Sequence, residues 1–233
     1  MKRSKRFRSV HEKIEKSKEY DITEAFAIVK KLATAKFDES IDTAFSLGVD
    51  PRKSDQMVRG TVALPNGTGK KVTVLVLCKP DKEDEALAAG AEYAGLDDYI
   101  EKINGGWFDM DVVIAAPDVM AQVGKLGKLL GPRGLMPNPK TGTVTFEVGN
   151  AVKEVKAGRV DFRVDKTANV HLCIGKASFD ADKLLENFEA LLRTLLALKP
   201  SSAKGLYIKG ITISSTMSPG IKIDKNSAIA LVK

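Results

Sequence analysis

The chain has 233 residues, 43% hydrophobic and 29% charged, with two cysteines, two histidines and a net charge of +7. That is the composition of a water-soluble globular protein with enough chain to bury a core in one domain or two. No apolar run approaches the ~20 residues of a membrane-spanning helix, and the charged N-terminus has no apolar signal core, so a cytoplasmic location without a membrane partner is expected.

Cys78 and Cys173 both lie in apolar, strand-like runs, which predicts buried thiols in a reducing compartment rather than a disulfide. The charge is unevenly spread. Residues 1–18 carry eight Lys/Arg against two Glu, residues 19–66 carry six against eight, residues 67–158 carry eleven against thirteen, and residues 159–233 carry twelve against seven. The two outer parts together hold +9 and the middle −2, which points the outer parts at a polyanion.

In chain order, residues 1–18 are basic with a thin apolar stripe of Phe7, Val10 and Ile14, whose spacing fits a helix laid on a domain as well as a solvated tail. Asp21 or Thr23 starts a helix burying Phe26, Val29 and Leu32. Ile41, Thr43, Phe45, Leu47 and Val49 alternate with Asp42, Ala44, Ser46 and Gly48, which predicts a strand. Residues 50–55 turn the chain, and Val58, Gly60, Val62 and Leu64 predict a second strand. Residues 65–70, PNGTGK, read as a hinge.

Beyond it the pattern changes. Residues 72–78 are nearly continuous apolar, which suits a strand buried on both faces. An acidic helix over 83–89, a short strand over 91–94, a helix around 98–103 and a strand over 111–116 follow. Asp118 is then the expected cap of a helix with the stripe Val119, Val123, Leu126 and Leu130, stopped by a left-handed Gly131 and by Pro132. Residues 124–144, GKLGKLLGPRGLMPNPKTGTV, hold five glycines, three prolines, the cations Lys125, Lys128, Arg133 and Lys140, and no acid. Val148, Val152 and Val155 predict another helix, and residues 156–158 a second hinge.

From Arg159 the period-two pattern returns. Val160, Phe162 and Val164, a turn at Asp165-Lys166-Thr167, then Val170, Leu172 and Ile174 predict a hairpin. Ser178 or Asp180 caps a long helix with Leu184, Phe188, Leu191, Leu195 and Leu198 inward, ended by Lys199-Pro200. Residues 205–215 supply a last strand and residues 216–220 a loop; nothing is predicted after Ile223. The whole predicts α/β and α+β classes together: a discontinuous α+β domain of residues 1–66 and 159–233, and an inserted, Rossmann-like layered α/β/α domain of residues 67–158. Gly67, Gly69 and Gly158 are the hinge candidates.

Catalytic and metal chemistry finds little support. Two distant cysteines and two histidines give no zinc spacing, Gly-x-Gly-x-x-Gly does not occur, and residues 67–71 lack the length and the Ser/Thr of a phosphate loop. His171 and Cys173 share one strand face, but nothing nearby resembles an oxyanion hole, and Cys173 reads equally as core-facing or as a bystander. No metal, no cofactor and no enzyme activity are expected. The rival is a nucleotide-binding enzyme using the inserted domain.

Residues 124–144 closely resemble the signature of the family of large-ribosomal-subunit protein one, the stalk protein family, in its bacterial type. Companion segments stand in the family's order: Ala35-Lys36-Phe37-Asp38-Glu39, Asp50-Pro51-Arg52, Val58-Arg59-Gly60-Thr61-Val62, Asp161-Phe162-Arg163 with Asp165-Lys166-Thr167, Gly175-Lys176-Ala177-Ser178-Phe179 and Lys204-Gly205. The resemblance covers essentially the whole chain. It implies a two-domain structural constituent of the large ribosomal subunit, cytoplasmic and monomeric within the ribosome, whose discontinuous domain grips large-subunit ribosomal RNA. It also implies a place beside exit-site tRNA and, in bacterial members, repression through the messenger RNA of the protein's own operon.

The contacts it implies carry over by position. Lys36, Arg163 and Lys166 neutralise phosphates. Phe37 stacks on a nucleotide, although spacing alone allows it a core role. Ser40, Thr167, Ser215 and Thr216 offer hydroxyls to sugars, Met217 an adaptable apolar surface, and His171 the same groove as Lys166. Asp42 accepts from a ribose hydroxyl or is simply solvated. Lys125, Lys128, Arg133 and Lys140 make a local basic edge for a secondary touch on stalk RNA or tRNA. One residue departs from the pattern: Ser218 stands where the family usually has glycine. A left-handed backbone there strains serine by about 1–2 kcal/mol, and a close RNA approach is crowded by it.

Overall fold

The structure, a computed structural model, describes residues 4–15 and 18–232. Lys2, Arg3 and Lys16 of the basic N-terminal run lie outside the described residues. The strands are β1 (Ser40–Leu47), β2 (Arg59–Ala63), β3 (Val74–Leu77), β4 (Tyr93–Gly95), β5 (Val112–Ala115), β6 (Arg159–Arg163), β7 (Asn169–Lys176), β8 (Ile208–Ser215) and β9 (Ile221–Ile223). The helices are α1 (Lys5–His11), α2 (Ile22–Leu32), α3 (Glu83–Ala88), α4 (Asp97–Asn104), α5 (Met120–Val123), α6 (Gly127–Leu130), α7 (Val148–Lys156), α8 (Ala181–Ala197) and α9 (Lys225–Val232). Contacts divide the chain into two compact units, residues 1–69 with 160–233, and residues 70–159.

In the first unit an antiparallel sheet runs in the order β7-β1-β8-β9, beside a two-stranded sheet β2-β6. The alternation read in β1 is the burial pattern found: Ile41, Thr43, Phe45 and Leu47 point into the core, and their neighbours do not. Helices α2 and α8 cover that side, with the Phe26 and Phe45 rings 5.8 and 5.7 Å from Phe188. Each such fully buried side chain contributes about 1.5–3 kcal/mol. Asp21 caps α2, its carboxylate accepting from the Thr23 N–H. Ser4 caps α1, which buries Val10, with Ile14 buried just beyond; the N-terminal stripe is therefore packed rather than solvated. The buried Asn187 of α8 accepts from the Asn66 N–H and donates to the carbonyls of Gly67 and Ile174, so its amide is satisfied.

Three expectations need correction here. The strands around residues 165–167 are no hairpin: β6 joins β2, β7 joins β1, and Asp165 turns the chain from one sheet to the other. Asp180 holds the N-cap position of α8 without a side-chain bond, while Ser178 is bound to Asp38. Leu198 is the C-cap of α8 and stays exposed. After the 216–220 loop the chain forms β9, and the tail beyond Ile223, for which nothing is predicted, forms α9.

The second unit holds a parallel sheet in the order β4-β3-β5. All four residues of β3 are buried, as the continuous apolar run requires. The helix expected after Asp118 is broken. Residues 117–130 alternate 3-10 and α geometry, with breaks at Gly124 and Gly127, two residues that each cost a helix about 1 kcal/mol relative to Ala. Asp118 sits inside the first 3-10 turn and makes no capping bond. Gly131 keeps a right-handed φ of −59°. The left-handed residue is Gly134, at φ 74°, where the Leu135 N–H reaches back to the Leu130 carbonyl. Asn138 then gathers the proline segment, its side chain accepting from the Lys140 N–H and its carbonyl from the Thr141 and Thr143 N–H groups. Val144 bridges β5 in parallel at Ala115.

Candidate nucleic-acid interface

The core takes one face of the four-stranded sheet and leaves the other open. On β1 that open face carries Ser40, Asp42, Ala44 and Ser46. Across the ladder, Lys176, Cys173, His171 and Asn169 of β7 stand opposite them on one side, and Ser214, Thr212 and Gly210 of β8 opposite Asp42, Ala44 and Ser46 on the other. Nearly all are small or polar, so a backbone partner can come close over a length of roughly 20 Å, six residues at ~3.3 Å each.

At one end of this face two segments converge on Glu39. The period that turns Ile41 and Thr43 inward also turns Glu39 inward, and it is 1% exposed. Its Oε1 accepts from the Ala35 N–H at 2.9 Å; its Oε2 accepts from the Ser215 hydroxyl at 2.6 Å and the Met217 N–H at 3.0 Å. Burial pushes the carboxyl up, but those hydrogen bonds and the nearby charge of Arg6 outweigh it and hold the group below its ordinary range. Arg6 itself donates to the Met217 carbonyl at 3.2 Å and to the Thr34 hydroxyl at 3.4 Å. Thr216 extends the ladder, exchanging bonds of 3.0 Å with Ser40 through its N–H and hydroxyl. Lys176 donates to the Ser40 hydroxyl at 2.8 Å.

Phe37 and Met217 stand out of this assembly, 54% and 48% exposed, beside an exposed Lys36. Phe37 is therefore not a core residue. Ser215 is the reverse: 2% exposed, its hydroxyl spent on Glu39, so it does not present that oxygen at the surface. Ser218 is not in the left-handed region, since Ala168 is the sole positive-φ non-glycine among the described residues. Its hydroxyl accepts from the Ser215 N–H at 2.9 Å, closing the loop rather than straining it.

The other end of the face is organised by Asp165, which accepts from the Thr167 N–H and hydroxyl and the Asn169 N–H. The Asn169 bond first, with those of Thr167, lowers its carboxyl below the usual range. Lys166 and Thr167 are held outward there, and the exposed His171 lies 3.6 Å from Asp165. Between the ends, desolvation pushes the Asp42 carboxyl up, partly offset by Cys173, Lys176 and His171. Desolvation likewise raises the Cys173 thiol, which bonds the Gly175 carbonyl; it is held as a thiol and no activated nucleophile. Arg163 stands apart from these, on β6 of the two-stranded sheet, with its guanidinium 3.5 Å from the Met57 sulfur.

In the 70–159 unit Lys125, Lys128, Arg133 and Lys140 are all exposed, and the Arg133 guanidinium stacks 3.5 Å from the Phe108 ring centre. Gly67, Gly69 and Gly158 have φ of 63°, 71° and 110°. Among the described residues no His/Cys/Asp/Glu group is arranged to hold a metal ion, and no helix is long and apolar enough to cross a membrane. Glu39 and Arg6 were missed by sequence reasoning. The signal for Glu39 was available, an acid in phase with the buried residues of β1. Arg6 had none beyond its place in a basic run.

Residues 29–219 match the profile of the Ribosomal protein L1p/L10e family. Among curated relatives, the large ribosomal subunit protein uL1 of Chlorobaculum tepidum is 56% identical over 97% of this chain and 98% of its own. That of Flavobacterium psychrophilum is 58% identical over 96% and 97%, and that of Parabacteroides distasonis 60% over 92% and 93%. With a profile spanning most of its length and relatives of this identity across nearly all of it, the chain belongs to the ribosomal protein L1p/L10e family.

Proposed function

We propose that this chain, as a constituent of the large ribosomal subunit in the cytoplasm, binds large-subunit ribosomal RNA directly at the mobile stalk through its 1–69/160–233 unit. It is not an enzyme. The observation carrying the reading is the open sheet face, small and polar along its length, with exposed Phe37 and Met217 at one end and cations at both. A phosphate backbone fits against the short side chains of Ala44, Ser46, Thr212 and Ser214, with the Lys176 ammonium beside Ser40. Lys36 and Lys166 neutralise phosphates, Phe37 stacks on an unpaired base or packs on a ribose, and the Asp42 carboxyl, His171 and Thr216 offer polar atoms to sugar hydroxyls. Arg163 extends the contact onto the neighbouring sheet, while Ser215 and Ser218 shape the loop.

The same face takes the messenger RNA of the protein's own operon, which makes the protein a translational repressor. The two units act as an RNA-gripping domain and an inserted domain that moves on the hinges at Gly67, Gly69 and Gly158, with the protein monomeric in the ribosome. The inserted domain's Lys125, Lys128, Arg133 and Lys140 give a secondary contact beside exit-site tRNA and assist its release. The test is binding of the full chain to a stalk ribosomal RNA fragment across a salt titration. Salt-sensitive, structure-specific binding is expected, with the logarithm of affinity falling linearly against that of salt at about 0.7–0.9 per phosphate neutralised. Equal binding to duplex DNA at moderate salt refutes the reading.

A further inference from the structure

Glu39 is the one charged side chain in the buried class among the described residues. Removing a carboxylate from water is expensive, and a buried ionic group is weak evidence for stability, since apolar replacements of similar shape often serve as well. What sets Glu39 apart is where its bonds go. All three of its donors lie on the segments that carry the exposed side chains: Ala35 precedes Lys36 and Phe37, and Ser215 and Met217 bracket Thr216. Arg6 ties the same two segments from α1, through Thr34 and the Met217 carbonyl. Neither Phe37 nor Met217 contributes to the core, so holding them at a set separation does little for the fold.

We infer that Glu39 is the positioning residue of the RNA site: its carboxylate bridges the residue 35–38 segment to the 215–218 loop, so that Phe37 and Met217 meet RNA as one preorganised pair. This rests on the RNA-binding reading above. Preorganisation removes the ordering cost that two independent loops would bear on binding. The pattern also demands a carboxylate. Glutamine has one accepting oxygen and a donating amide, so in either orientation it turns an N–H toward a donor and leaves the Ala35 or the Met217 N–H without its partner.

The test compares wild type, Glu39→Gln, Met217→Ala and the double variant for binding to the stalk ribosomal RNA fragment, with thermal unfolding of each. Glu39→Gln is expected to bind about ten- to thirtyfold more weakly at an unchanged salt slope. The direction is diagnostic, because removing a negative charge near a polyanion otherwise tightens binding. Met217→Ala is expected to cost less in the Glu39→Gln background than in wild type, the non-additivity of residues that act together. Ser215→Ala, which removes one of three donors, is expected to weaken binding in the same direction by a smaller factor; it serves as the reporter where Glu39→Gln fails to fold. Unchanged or tighter binding by the folded variants, or costs that simply add, overturns the inference alone. A wild type that does not bind the fragment overturns the RNA reading and the inference with it.

Discussion

The three-stranded and four-stranded sheets of this chain solve the burial problem in opposite ways. In the 70–159 unit, β3 has neighbours on both edges in a parallel sheet, and Val74, Leu75, Val76 and Leu77 are all buried. In the other unit, β1 is equally central, yet it alternates buried Ile41, Thr43, Phe45 and Leu47 with Ser40, Asp42, Ala44 and Ser46, none of them buried, on the other face. Parallel sheets are covered on both faces by their crossovers, while antiparallel sheets are free to keep one face open. The difference teaches where a large flat partner can lie. On the proposed RNA-binding reading, a polyanion needs backbone-close access, which the open face of the four-stranded sheet offers.

The sharpest test substitutes one central residue in each sheet. Val76→Asp buries an unpaired carboxylate at a cost of several kcal/mol, a large share of the ~5–15 kcal/mol that holds a domain together. Trp107 is the only tryptophan and belongs to the 70–159 unit, so its fluorescence reports loss of that unit. RNA affinity is expected to stay within about threefold. Ala44→Asp is the mirror image: stability within ~1 kcal/mol, since the site is on the open face, and RNA affinity at least tenfold lower, ~1.4 kcal/mol. Loss of RNA binding in Val76→Asp, or its retention in Ala44→Asp, breaks the comparison.

Phe37→Ala probes the edge of the open face. A base stacked on an aromatic ring contributes about 1–3 kcal/mol, so affinity is expected to fall roughly five- to a hundredfold. Thermal stability is expected to change by no more than ~0.5 kcal/mol, because the ring buries little in the free protein. A clear drop in the unfolding temperature would mean that the ring belongs to the core after all.

These effects also show what the sequence made legible. Period-two alternation identified β1 and its inward set, and the apolar run identified β3, because burial acts on each residue separately. It could not tell that the segments before and after residues 165–167 go to different sheets, since pairing depends on partners far along the chain. Nor did periodicity foresee the breaks at Gly124 and Gly127, where the apolar stripe Val119, Val123, Leu126 and Leu130 is buried as a helix would bury it while the backbone is not continuous α-helix. The candidate contacts Lys36, Phe37 and Met217, all exposed, came from family resemblance. Glu39, which joins their segments, was visible only as an acid out of place in an apolar phase, and its donors lie as far away as residues 215 and 217.

Glu39 gives the comparison a pH dependence. Its carboxyl, lowered from an ordinary value of 4.5 in the folded chain, favours the folded state fully above the unfolded value, and that contribution is lost as pH falls through the folded one. The stability advantage of wild type over Glu39→Gln is therefore expected to be constant near neutrality and to shrink below about pH 4.5, measured by urea unfolding at stepped pH. An advantage that persists into stronger acid would place its origin outside the carboxylate. A smaller effect is expected from the basic edge of the other unit. Substituting Lys125, Lys128, Arg133 and Lys140 together by Gln is expected to weaken binding to the stalk fragment by less than tenfold, under ~1.4 kcal/mol. A larger loss would put that edge in the main site.

The smallest effect on RNA is expected at Ser218, where the sequence raised two worries and the structure answers one. Serine has no left-handed backbone to strain it, so Ser218→Gly relieves nothing. It removes the hydroxyl that accepts from the Ser215 N–H at 2.9 Å, a bond of about 0.5–1.5 kcal/mol, and it adds unfolded-state freedom of about 0.4–1 kcal/mol. The variant is expected to be roughly 1–2 kcal/mol less stable and to bind RNA within threefold of wild type. The remaining worry is steric: a hydroxymethyl group where RNA approaches closely. If Ser218→Gly binds more than threefold tighter despite its lower stability, the side chain is crowding the RNA. The 216–218 loop then lies against the nucleic acid at backbone distance instead of touching it through Met217 alone.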